Sequence, residues 1–291
     1  MWRARPVTWA FLLPAVFTLL AVGIYPILFA LSISFRQYEL TKPGQGFGFN
    51  GLGNYTQVFG DPTFWGSLGR TFIFLGTVLP LELILGLLVA LLLNIPDFSV
   101  LRTITRVALV VPLATTYAVV GLMGRFMFNG DFGVINFALE SFGLDPVVWL
   151  ARPTSAFLAV ALMDVWQWTP FVALIFLAGL ATVPPDIEEA AQLETGNWFT
   201  ILRHIRLPYL LPGLTAILIL RTADILKLFD MVFVMTRGGP GTATELVSIY
   251  IQRVGFRIFD LGVASAQAIF LLVLTVILAR LYIRFFYREV G

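Results

Sequence analysis

Between Arg5 and Arg36 the chain runs for thirty residues without one charged side chain, and no other feature limits its fold as much. A helix needs about 20 mostly apolar residues to cross the hydrocarbon core of a bilayer. It can do so because every interior backbone N–H and C=O is paired within the helix itself. Five further segments are long and apolar enough, so the sequence predicts six spans, at about 8–35, 71–95, 107–128, 157–181, 209–235 and 261–284. Glu82 interrupts the second span and Asp164 the fourth, while the fifth carries Arg221, Asp224, Lys227 and Asp230.

Composition supports a membrane class. Charged residues make up 12% of the chain and hydrophobic ones 58%, whereas a soluble domain carries roughly 25% charged residues to keep its surface wet. The 19 basic residues are scattered without a patch for nucleic acid. Cysteine is absent, which excludes disulfides, thiol nucleophiles and thiolate metal sites, and the single histidine, His204, reads as a solvated loop residue. The expectation is a chain that is not an enzyme and holds no metal or cofactor of its own.

Arg3 and Arg5 precede an apolar run too long for a signal peptide, so the first segment is expected to stay as a helix. Basic residues divide almost evenly between the two sides, but the outer loops are together much longer. Their density, with Arg102, Arg106, Arg203, Arg206, Arg280, Arg284 and Arg288 on the inner side, favours both termini inside. No internal repeat stands out, which weakens the case for an inverted-repeat transporter.

Between the fourth and fifth spans lies a polar loop, 182–208. Pro184 and Pro185 stop the span, and Asp186 is expected to cap a new helix with Glu189 as its capping-box partner. Glu188, Ala190, Ala191 and Glu194 continue it, and Gly196 is expected to end it. A second short helix, 198–205, is expected to stop at Leu207-Pro208. By pattern alone this is equally an amphipathic interfacial connector.

Glu189-Ala190-Ala191, followed at this spacing by Ile205, Leu207 and Pro208, resembles the signature loop of ABC-importer permeases. Phe128-Asn129 with Gly133-Val134-Ile135-Asn136, and Thr236-Arg237-Gly238-Gly239-Pro240 with Thr244, resemble its carbohydrate-uptake subgroup, the maltose type. Gly196 stands one place later than the family's glycine, where this chain has Thr195. The resemblance covers nearly the whole chain. It implies an all-α integral membrane protein with one transmembrane domain, 1–291, of the type I importer fold. The loop would be a cytoplasmic coupling helix, with Asp186, Glu188, Glu189, Ala190, Ala191, Glu194 and Gly196 at the ATPase contact.

The resemblance also implies partners: a second permease, two copies of an ATPase that binds ATP and magnesium, and an external solute-binding protein. The setting would be a bacterial or archaeal inner membrane, and the cargo a sugar or other polar solute. The chain itself has no Gly-x-x-x-x-Gly-Lys-Ser/Thr phosphate loop.

Asp164, Gln167, Trp168 and Phe171 fall on one helical face. That face has hydrogen-bonding groups for hydroxyls and an aromatic plate for a sugar ring, although ordinary packing would use it equally. The four charges of the fifth span alternate in sign at spacing three, which suits mutual neutralisation. The resemblance implies cargo contacts at Asp164, Gln167, Trp168, Phe171, Arg221, Asp224, Ile225 and Leu228. Glu82 reads as a bundle-facing structural carboxylate. Two other classes stay open: an ion-coupled transporter relaying through Asp164, Asp224 or Glu82, and a scaffold subunit without a pathway.

Overall fold

The computed structural model describes residues 6–41, 48–95 and 99–286, and among these the side chains of 6–10, 99–103 and 106 are not described. Arg3, Arg5 and Arg288, and the side chains of Arg102 and Arg106, on which the orientation reading draws, lie outside the described residues. Twelve helices matter here. They are α1 (Phe11–Ser34), α2 (Gly53–Gly60), α3 (Pro62–Leu93), α4 (Ser99–Ala114), α5 (Tyr117–Met127), α6 (Val134–Ser141), α7 (Pro153–Leu180), α8 (Pro185–Glu194), α9 (Trp198–Leu226), α10 (Asp230–Thr236), α11 (Val247–Phe256) and α12 (Leu261–Phe286). Among the described residues, α1, α3, α7, α9 and α12 are long and apolar enough to cross a membrane, and α4 with α5 make a sixth if counted as one bent span.

Two compact units separate. One comprises the chain up to Trp65 with Tyr250–Leu274, the other Gly66–Ile249 with the residues from Thr275 on. In the first, Asn54 Nδ2 donates to the carbonyls of Ser34 and Arg36 at 2.9 and 2.8 Å, capping the end of α1. Phe64 and Trp65 meet the Phe270 ring edge-on. The second unit holds the main core, centred on α7. Of the most apolar window of α7, 61% is buried, against 6% for α1. α7 is therefore packed by protein, whereas α1 presents its side chains outward, as a lipid-facing helix does.

The third and fifth spans differ from expectation, and in both the reason is local chemistry that hydropathy does not see. The run 107–128 is broken between α4 and α5 by a bend of 97°. Pro112 lacks the N–H that would continue the ladder. Thr115 Oγ1 donates to the Val111 carbonyl at 2.8 Å, a side-chain bond that competes with the helix. Thr116 then turns extended (φ −72°, ψ 150°).

The run 209–235 ends as a helix at Leu226. Lys227 leaves helical geometry (φ −103°, ψ 5°), and α10 restarts at Asp230, whose charge suits a helix N-terminus. Leu228 thus lies in a break and not on a helix face. The second span begins at Pro62 rather than 71.

The polar loop also differs in detail. Its helix starts at Pro185 after an extended Pro184, with no side-chain cap, so Asp186 and Glu189 form no capping box. Proline at the first position supplies the right φ and needs no N–H there. The helix ends when Thr195 turns extended (φ −141°, ψ 125°), and Gly196 adopts no left-handed turn. The second loop helix does not stop at Pro208. A wider, π-type turn at Leu202–Arg206 precedes the proline, and the helix continues through it as the body of α9.

Close helix packing depends on several glycines, of which two serve as examples. A Cβ on Gly121 of α5 would lie 2.7 Å from the Met231 carbonyl oxygen of α10, and one on Gly86 of α3 would lie 2.5 Å from Val172 Cγ1 of α7. Gly121→Leu is expected to destabilise the protein by about 1–3 kcal/mol. Gly76→Leu, at a glycine with open space around it, should leave the thermal midpoint of the purified protein unchanged. Equal midpoints for both variants would contradict this packing.

Candidate functional site

The centre of the second unit holds a cluster of charge. Glu82 of α3, Asp164 of α7 and Arg221 of α9 are each fully buried, with relative exposure of 0%. Arg221 Nε donates to Glu82 Oε2 at 2.8 Å and its Nη2 to Glu82 Oε1 at 2.6 Å. The same Nη2 donates to Asp164 Oδ2 at 2.5 Å. Two parallel N–H···O bonds to one carboxylate make the fork that the planar guanidinium is shaped for. Three helices far apart in sequence are thereby tied at one point.

The predicted face of α7 is brought together there. Arg221 lies over the Trp168 ring at 4.6 Å from its centroid, a cation–π contact. The Phe171 ring stands edge-on to Trp168 at 5.5 Å, and the Tyr117 ring of α5 packs tilted against it at 5.9 Å. Gln167 Nε2 donates to the carbonyl of Thr115 at 2.9 Å, in the break between α4 and α5. A backbone carbonyl freed by the break is thus satisfied by a side chain.

Several polar atoms around the cluster carry no well-formed hydrogen bond: Asp164 Oδ1, Gln167 Oε1, Arg221 Nη1, Tyr117 OH and Trp168 Nε1. The last two interact with each other but miss hydrogen-bond geometry.

The self-neutralised stripe expected in the fifth span forms only in part. Arg221 pairs with Glu82 and Asp164 from other helices. Asp224 does pair with Lys227, three residues on, at 3.0 Å by the exposed end of α9, and Asp230 is exposed in the first turn of α10. Ile225 and Leu228 are buried in the apolar core. Trp168 does not offer a free plate either, since the guanidinium occupies one face.

Tyr117 was not legible as a site residue, because nothing in the hydropathy revealed the break that positions it. Glu82 was legible only as a bundle-facing structural carboxylate, since a lone acid in an apolar span needs a partner.

At the polar loop, Glu189, Ala190 and Glu194 are exposed, with Leu193 90% exposed. Asp186, Ile187, Ala190, Ala191, Glu194 and Ile205 line a shallow hollow of about 330 Å³. Glu188 forms an ion pair with Arg206, clipping α8 to the start of α9. Glu188 is therefore occupied within the chain, whereas Glu189 is exposed. Asn197 Oδ1 accepts from the Phe199 N–H at 3.0 Å and caps α9. Among the described residues, no group of three or more His, Cys, Asp or Glu side chains is arranged to hold a metal ion.

Comparisons with known proteins place the chain. The family described as "Binding-protein-dependent transport system inner membrane component" matches residues 63–290. The sulfoquinovosyl glycerol transport system permease protein SmoG of Agrobacterium fabrum is 35% identical over 94% of this chain and 88% of its own length. The trehalose/maltose transport system permease protein MalF of Thermococcus litoralis is 35% identical over 97% of this chain and 94% of its own. A crystal structure of a bacterial ABC transporter involved in the import of the acidic polysaccharide alginate has the same fold. It aligns with a TM-score of 0.83 at 22% identity, covering 98% of this chain and 96% of that one.

The ion cluster makes its own prediction. Arg221→Met leaves two buried carboxylates without their counter-ion and is expected to cost about 3–5 kcal/mol. Adding Glu82→Gln and Asp164→Asn should recover much of that loss in thermal midpoint and folded yield. A triple variant no more stable than the single one would show that the charges are not balanced at this point.

Proposed function

We propose that this chain, which belongs to the binding-protein-dependent transport system inner membrane components and is a permease subunit of an ABC importer, carries a sugar or sugar derivative. The names of the relatives support that cargo class. The observation that carries the site reading is the Glu82–Asp164–Arg221 cluster beside two helix breaks. Irregular backbone at membrane depth is tolerated where it lines a cavity or is buried in protein, and transporter sites of this kind form at broken helices near the midplane.

In this reading the whole chain is one transmembrane domain of six spans, with α4 and α5 together as the third and both termini in the cytoplasm. Cargo passes Asp164, Gln167, Trp168, Phe171, Arg221 and Asp224, with Ile225 and Leu228 shaping the apolar wall. The helix α8 is the coupling helix. Asp186, Glu189, Ala190, Ala191 and Glu194 meet a cleft on a cytoplasmic ATPase, Glu188 braces the loop through Arg206, and Gly196 lies beyond the helix end.

ATP and magnesium belong to that ATPase, and this chain performs no hydrolysis. A second permease completes the pathway, and an external binding protein delivers the solute.

Coupling follows from α9. It starts at the loop, at Trp198, and reaches Arg221 in one continuous helix, a lever of about 35 Å at 1.5 Å per residue. When the ATPase dimer closes and pulls α8, the Glu188–Arg206 clip passes the displacement to the base of α9. Arg221 moves relative to Glu82 and Asp164, and the site changes the side it faces.

In proteoliposomes holding the full importer, Glu189→Lys should cut ATP-driven sugar uptake by roughly tenfold or more with the permease still folded. Unchanged uptake and ATPase association would refute the docking role of α8. The ligand co-purifying with the cognate binding protein identifies the cargo, and a non-sugar there would overturn the cargo class.

A further inference from the structure

We infer that Arg237 is a docking residue for the external binding protein, its guanidinium pairing with a carboxylate on that partner's surface. This rests on the importer reading above, which puts the loop between α10 and α11 on the outer side of the membrane.

Arg237 ends α10 in left-handed geometry (φ 53°, ψ 27°). A helix stop of this kind ordinarily takes glycine, because a Cβ there crowds the backbone. Glycine stands close by at 238, 239 and 241, yet the strained position carries a long cation. Backbone held in a sparsely populated region collects at functional sites, where the surrounding structure holds it in place.

The surroundings here do hold the loop. The Thr236 and Thr244 hydroxyls meet at 2.6 Å, and the Thr244 amide donates to the Gly238 carbonyl at 3.2 Å. From α3, Arg70 Nε donates to the Glu245 carbonyl at 3.1 Å, and Thr71 Oγ1 accepts from the Val247 N–H at 2.9 Å. Both ends of the loop are thereby pinned. Arg70 is engaged by the loop itself, with the Glu245 carboxylate also 3.7 Å away. Arg237 is exposed, and among the described residues its side chain makes no hydrogen bond or ion pair.

The position suits a protein partner better than a small solute. A solute is held in a concave site that buries most of its surface, whereas Arg237 is exposed beside a buried Gly238. Arginine is an enriched contact on protein surfaces that meet, and it grips a carboxylate through two parallel bonds. A loop already pinned loses little freedom on docking. A cation at a helix C-terminus also interacts favourably with the helix dipole, a role that needs no partner and that the test separates.

The test reads ATP hydrolysis by the full importer in proteoliposomes against rising concentrations of the purified cognate binding protein, carrying the solute with which it co-purifies. Arg237→Gly keeps the left-handed turn without steric cost. It should raise the KM for binding protein about tenfold or more, with the maximal rate kept. Arg237→Lys, which keeps the charge but not the fork, should fall between. The KM of the unaltered importer should rise with salt, and that of Arg237→Gly should rise less. Arg237→Asn, also tolerant of this geometry, serves if the glycine variant does not assemble.

An unchanged KM in the glycine or asparagine variant would overturn the inference and leave the importer reading standing. A lower maximal rate at unchanged KM would do the same, since Arg237 would then act after docking. An unaltered importer that binding protein does not stimulate at all would overturn the importer reading itself.

Discussion

One guanidinium bridging two carboxylates organises the larger unit of this protein. Arg221 is the largest side chain buried to completion, and a charge so placed is tolerated only when paired and hydrogen-bonded. Its partners come from α3 and α7, so the positions of three membrane helices are tied to the geometry of one planar group. The Trp168 ring beneath Arg221 and the Gln167 bond to the broken α4–α5 junction extend that tie outward. Polar contacts in an apolar medium thus do what hydrophobic burial cannot do between helices bathed in lipid, since lipid is as apolar as the helices.

The same arrangement joins site and loop. Arg221 and Arg206 are on one helix, the first in the buried cluster and the second in the Glu188 clip. The π-type turn at Leu202–Arg206, which ends at the clip, accommodates Pro208 without interrupting the rod. A proline that looked like a stop therefore sits inside a continuous mechanical element.

Much of this was legible in the residues, though unevenly. Apolar length alone located α1, α7 and α12 to within a few residues. It could not show the breaks after Ala114 and Leu226, because hydropathy stays high through both. The breaks come from Pro112, the Thr115 hydroxyl and the departure of Lys227 from helical geometry, effects of one or two residues. The face of α7 was visible from spacing, and its residues do lie together.

Arg221 was mispaired with Asp224, its neighbour at i+3, because local sequence offers that partner while the fold offers better ones from 57 and 139 residues away. The loop helix was found with its ends to within about a residue, but what sets those ends was not. Pro185 and Thr195 act through backbone conformation and not through the side-chain caps that sequence patterns advertise.

The separation between Glu82 and Arg221 bears on how such a protein is made. Chains emerge at roughly 5–20 residues per second, so Glu82 precedes its bidentate partner, 139 residues downstream, by roughly 7–28 s. During that interval α3 is a membrane helix carrying an acid with no counter-ion, at a cost of about 2.5–3.5 kcal/mol on insertion scales. Asp164 on α7 enters under the same handicap. Only the arrival of α9 discharges both debts, so biogenesis favours holding the early helices close to the insertion machinery until the fifth is made. The ion cluster thereby sets a temporal order on assembly as well as a spatial one.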